Sequence, residues 1–172
     1  MYLLNIVLIG VVVGLASCDI DCFTKESSSC GTNDINDVSS LLGNYCNTMP
    51  PYIECLYKAA NKCNIFQKLI KNWLDNAKDA CTNGTKLNKD LETNFECISE
   101  AAKNADCFND ISHHPDQGDE QQKENHLVCQ VFEEMTICLY GQIEQDCGRT
   151  AKDSFYAIYE PMNQYFLKLC YL

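Results

Sequence analysis

The sequence predicts an all-α protein, a disulfide-cross-linked bundle of about five to seven helices. Three observations carry that expectation. Apolar residues recur at helical spacing along most of the chain, and alternating strand-like runs are scarce. The 13 cysteines are spread along the 172 residues rather than gathered in one place. A leading apolar segment has the form of a secretory signal, which would put those cysteines where disulfides form and persist.

That segment is residues 1–18. Ile6 to Leu15 is apolar apart from Gly10 and Gly14, the length of a signal core and too short for a bilayer span. No Lys or Arg precedes it. Cleavage after Ala16, Ser17 or Cys18 is expected; Leu15-Ala16-Ser17-Cys18 also has the form of a bacterial lipobox. Parity favours Cys18: a chain starting at Asp19 keeps an even set, namely Cys22, Cys30, Cys46, Cys55, Cys63, Cys81, Cys97, Cys107, Cys129, Cys138, Cys147 and Cys170. After Cys22 no two cysteines are closer than the eight positions from Cys22 to Cys30 or from Cys55 to Cys63. Zinc sites use pairs about two to four residues apart, so disulfides are expected and metal ligands are not.

The helices follow in order. Asp34 can cap a segment with Ile35, Val38, Leu41, Leu42 and Tyr45 on one face. Pro50-Pro51 suits the start of a second helix, with Tyr52, Cys55, Leu56, Ala59 and Cys63 facing inward. Asn64 can cap a third, whose stripe of Ile65, Phe66, Leu69, Ile70, Trp73, Leu74 and Ala77 ends at Cys81 before an Asn83-Gly84 turn. A fourth starts near Asn88 and carries Leu91, Phe95, Ile98 and Ala102. The stretch from His113 to Asp119, with Pro115 and Gly118, predicts a loop. A long helix with Leu127, Val131, Met135, Cys138 and Leu139 follows, ending at Gly148. The last helix carries Phe155, Ile158, Tyr159, Met162 and Phe166, and Pro161 is expected to kink or break it.

An internal echo runs through the cysteines. Cys46, Cys55 and Cys63 are spaced almost as Cys129, Cys138 and Cys147 are. One compact domain over 19–172 is the expected organisation; two related helical hairpins packed together would explain the echo as well. Cys46, Glu54-Cys55-Leu56, Lys62-Cys63, Phe95-Glu96-Cys97, and Cys138 to Cys147-Gly148 followed by Phe155-Tyr156 together resemble a known family. It is the cysteine-rich helical domain of unknown function found in nematode and arthropod secreted proteins. The resemblance covers most of the chain after the signal and implies a secreted helical fold, with no catalytic residue to carry over.

Charge excludes some partners. The net charge is −11, and of the 24 acids and 13 bases only 9 and 8 fall in Asp19 to Asp90. The remaining 15 acids and 5 bases give Leu91 to Leu172 a charge of −10. No basic stripe offsets this, so neither nucleic acid nor an anionic membrane is an expected partner. The acidic stretch serves solubility or a basic partner.

No catalytic motif is present. His113, His114 and His126 lie near Asp116, Asp119, Glu120 and Glu124 without zinc-ligand or EF-hand spacing, and a solvated loop is the simpler account. Asn83-Gly84-Thr85 is the single glycosylation sequon and falls in a predicted turn. Phe155, Tyr156, Tyr159, Tyr165, Phe166 and Tyr171 crowd the C-terminus, either as core or as the wall of an apolar cavity. The sequence therefore points to a secreted, non-enzymatic protein without cofactor or metal. Its partner would be an extracellular protein, in the sharper form the target of a venom or salivary toxin-like effector. The alternative is a carrier of small hydrophobic ligands.

Overall fold

A computed structural model of the chain describes residues 19–31, 41–107 and 120–170, with side chains for all but 41 and 120–129. Every described element is helical, as the periodicity predicts: α1 (19–27), α2 (Leu41–Cys63), α3 (Gln67–Cys81), α4 (Lys86–Asn104), α5 (Glu120–Cys147) and α6 (Arg149–Cys170). The expected signal segment, the Asp34 cap with Ile35 and Val38, and the His113–Asp119 loop lie outside the described residues. So do the side chains of His126, Leu127 and Cys129.

Pro50-Pro51 does not start a helix. α2 runs through both prolines. Each removes a backbone donor, leaving the carbonyls of Cys46 and Asn47 without their usual partner, and an interior proline costs ~3 kcal/mol or more. Tertiary structure offsets that loss. Cys46 and Cys55, on either side of the prolines, are bridged to Cys81 and Cys30. Tyr45 and Met49 before them, and Ile53 and Leu56 after them, pack into one core.

Asn64 likewise takes a different role from the one its position suggested. It sits in the left-handed region with φ 54° and ends α2, and Ile65 N–H reaches back to the Ala60 carbonyl at 3.1 Å. That is the six-to-one bond of a Schellman C-terminus. The residue preceding α3 is Phe66, also left-handed at φ 59° and with no side-chain cap. A bulky residue avoids this conformation. Its ring compensates by packing edge-on to Phe23 at 5.4 Å and Tyr165 at 5.9 Å.

α4 begins two residues before the predicted Asn88, capped by the Thr85 hydroxyl, which accepts Asn88 N–H at 3.1 Å. Asn88 itself is buried, and its amide donates to the Ala80 carbonyl at the end of α3 at 2.9 Å. Gly148, at φ 85°, both ends α5 and starts α6. Its N–H bonds Glu144, and its carbonyl accepts from Lys152. A residue with a Cβ would be strained there.

Pro161 lies inside an unbroken α6 and is buried. The carbonyl it leaves free, four residues back, is that of Ala157. The Asn76 amide of α3 donates to that oxygen at 2.7 Å. A neighbouring helix thus replaces the bond that the proline removes, and the predicted break does not occur.

Five described bridges staple the chain, and all of them stay within one half. Among the six cysteines from Cys22 to Cys81, the first pairs with the fifth (Cys22–Cys63), the second with the fourth (Cys30–Cys55) and the third with the sixth (Cys46–Cys81). In the next six, the first again pairs with the fifth (Cys97–Cys147) and the second with the fourth (Cys107–Cys138). Cys170, the sixth of that set, is also disulfide-bonded. The echo in the spacings is thus an echo in the pairings: α1–α3 and α4–α6 are three-helix units that share two bridges, first with fifth and second with fourth. They meet without a described covalent link, through contacts of α3 with α6, α3 with α4 and α2 with α4. Tyr165 of α6 joins the core of the first unit, and Ala80 of α3 joins the core of the second.

Candidate functional site: an apolar cleft at the seam

Where the two units meet, four helices leave a cleft of about 320 Å³. α2 supplies Tyr45 and Met49, one turn apart, and α3 supplies Trp73. α4 presents Phe95, Ile98, Ser99 and Ala102, and α6 presents Phe155, Ile158, Tyr159 and Met162. Both of these sets fall at the i, i+3, i+4, i+7 spacing that puts residues on one helix face. Among the described residues no charged side chain lines the cleft, and its volume lies at the small end of the roughly 300–1,000 Å³ typical of ligand sites.

Two polar atoms in its wall stand apart. The Tyr45 hydroxyl and the Trp73 indole N–H are buried, and among the described residues neither has a hydrogen-bond partner. Buried tyrosine and tryptophan usually satisfy these groups, and an unmade bond costs about 1–3 kcal/mol. Burial also raises the Tyr45 phenol well above its ordinary range, so it stays protonated at any physiological pH. On the far side Tyr159 is raised by burial too, and its ring stacks on Phe155 at 4.9 Å.

The predicted C-terminal aromatic group is divided by the structure. Phe155 and Tyr159 line the cleft. Tyr165 is buried in the first core, 5.8 Å from Trp73. Tyr156 and Phe166 are exposed, and Tyr171 lies outside the described residues. Sequence reasoning placed Tyr45, Trp73, Phe95 and Ile98 on apolar faces but had no way to assign them to a cleft, because a cleft stripe and a core stripe share one spacing.

A second depression, of about 370 Å³, lies between Asp79, Lys86, Asp90 and Asp153. Its wall mixes charged groups with Leu87 and Ala157, Lys86 is ion-paired with Asp90 at 2.6 Å, and none of its lining residues holds a buried unpartnered group. Among the described residues no cluster of His, Cys, Asp or Glu is arranged to hold a metal. No helix among them is long and apolar enough to cross a membrane. The acids of the second unit, including Glu92, Glu96, Glu133, Glu144 and Asp146, are exposed. Asn83 is exposed in the α3–α4 turn, beside the capping Thr85 whose hydroxyl donates to the Asp79 carbonyl at 2.7 Å.

No protein-family model, no curated protein and no solved structure matches the chain.

Proposed function

We propose that this is a secreted, non-enzymatic protein that binds and carries a small hydrophobic molecule in the cleft between its two units. One observation carries the proposal: an uncharged apolar cleft whose wall contains two buried polar groups without partners. Among the described residues the titratable groups lining it are tyrosines, which suits holding a ligand better than transforming one. The dense bridging suits an extracellular fluid. Glycosylation at Asn83 fits the same route through the secretory lumen. The resemblance to nematode and arthropod secreted domains points the same way.

Trp73 is the chain's single tryptophan, so its emission reports on the cleft directly. The protein secreted from eukaryotic cells should bind the uncharged probe N-phenyl-1-naphthylamine saturably, with energy transfer from Trp73. Native mass spectrometry should show added mass that is lost on denaturation. Ala102→Phe, which fills the cleft, should abolish both signals while the melting temperature holds. Probe binding that is absent, or indifferent to Ala102→Phe, would reject the carrier role. The protein-interaction reading would then lead, supported by Ile137, Tyr156, Phe166 and Leu169, exposed at 66%, 47%, 40% and 39% on α5 and α6.

A further inference from the structure

Given a carrier role for the cleft, we infer the class of ligand: an uncharged amphiphile whose single hydrogen-bond-accepting oxygen, a ketone, ester or alcohol, is taken by the Tyr45 hydroxyl and the Trp73 N–H.

The indole N–H can only donate, so the group it lacks is an acceptor. The phenol can donate or accept, and burial keeps its proton in place, so it too offers a donor. Two donors against an otherwise apolar wall call for an oxygen at one end of a hydrocarbon body. A carboxylate also accepts, but it brings a charge. Among the described residues no Lys or Arg lines the cleft, and the protein carries −11. An anion there would be desolvated without a counter-charge, which is strongly unfavourable. A bare hydrocarbon would fill the space and leave both donors unmade. Both donor atoms are closed to water in this conformation, so the oxygen must enter the wall. Met49 and Met162, flexible thioether chains lining the same cleft, are the side chains able to give way.

The test uses the full secreted protein with its bridges intact. Undecanone, undecane and undecanoate compete against N-phenyl-1-naphthylamine at neutral pH, for the native protein and for Tyr45→Phe, Trp73→Phe and Tyr156→Phe. Undecanoate should be the weakest competitor. The ratio of ketone to alkane affinity should fall roughly threefold to tenfold in Tyr45→Phe and in Trp73→Phe, the effect of one hydrogen bond. In Tyr156→Phe, outside the cleft, it should not change. Should Trp73→Phe fail to fold, Tyr45→Phe alone decides. An unaltered ratio in Tyr45→Phe, or undecanoate binding tightest, overturns the assigned ligand class while leaving a hydrophobic carrier in place. A probe that never binds, or that none of the three displaces, rejects the carrier role itself.

Discussion

The two three-helix units share the placing of two bridges but not an interior. The first buries large side chains, with Phe23, Ile53, Leu56, Ile70 and Trp73 at its centre, and no buried polar residue among those described. The core of the second is leaner, built from Leu91, Ile98, Ile143, Ile158 and three alanines. The four buried polar residues among those described, Asn88, Thr136, Ser154 and Asn163, lie in α4–α6. Nearly all the net charge is there too. Bridge order thus constrains topology alone. Once loops are closed covalently, core composition is free to diverge, because the cross-links limit the unfolded ensemble whatever fills the inside.

The sharpest way to break this comparison is to remove the same bridge from each unit. Cys22–Cys63 and Cys97–Cys147 occupy equivalent places and close loops of similar separation, 41 and 50 residues. Chain entropy alone predicts nearly equal losses, about 2–4 kcal/mol for each serine double variant in urea unfolding. A loss confined to one unit would show that packing governs the effect of the bridge. Peptide mapping of the native chain belongs with this experiment. If the second unit repeats the third-with-sixth pairing of Cys46–Cys81, the peptide holding Cys170 should be recovered with the one holding Cys129.

A smaller effect tests the seam. Asn76→Ala should cost about 1–3 kcal/mol by orphaning the Ala157 carbonyl. Adding Pro161→Ala restores a backbone donor to that carbonyl and should recover most of the loss. Strict additivity of the two substitutions would mean that Asn76 contributes through packing and not through the bond.

The smallest effect concerns alkaline pH. Tyr165 is raised to about 12 by burial. Tyr140 is raised further, by burial and by donating to Glu160 at 2.8 Å, and Tyr159 and Tyr45 are raised as well. Each folded value exceeds the unfolded one, near 10, so this stability is intact below pH ~10. It declines as pH rises through about 12, where the Tyr165 phenol ionises. Three of the four sit on α5 and α6. Urea midpoints should therefore drop above pH ~10, and Tyr140→Phe should flatten the drop. A slope unchanged in that variant would remove Tyr140 as its origin and leave it to Tyr159, Tyr165 and Tyr45.

The first unit shows what was legible. Ile70, Trp73, Leu74 and Ala77 were predicted on one inward face of α3 and are buried there, because helical periodicity is local and burial follows it. Pro50, Pro51, Asn64 and Pro161 were misplaced for one shared reason. Each was assigned its commonest local role, and in each case a contact distant in sequence, or the geometry of the adjoining turn, outweighed a preference of a few kcal/mol.

By itself, the sequence determined that this protein is helical, densely bridged, acidic in its second half and built on a repeated cysteine spacing, since all of these reside in neighbouring residues and in composition. Only the tertiary structure decided which cysteines pair, among the order of ten thousand arrangements open to twelve of them. It alone carried α2 and α6 through their prolines. It alone brought Tyr45 of one unit and Phe155 of the other to the same cleft. An amphipathic stripe records that a face is buried, and the partner helix that buries it is chosen by packing across the whole chain.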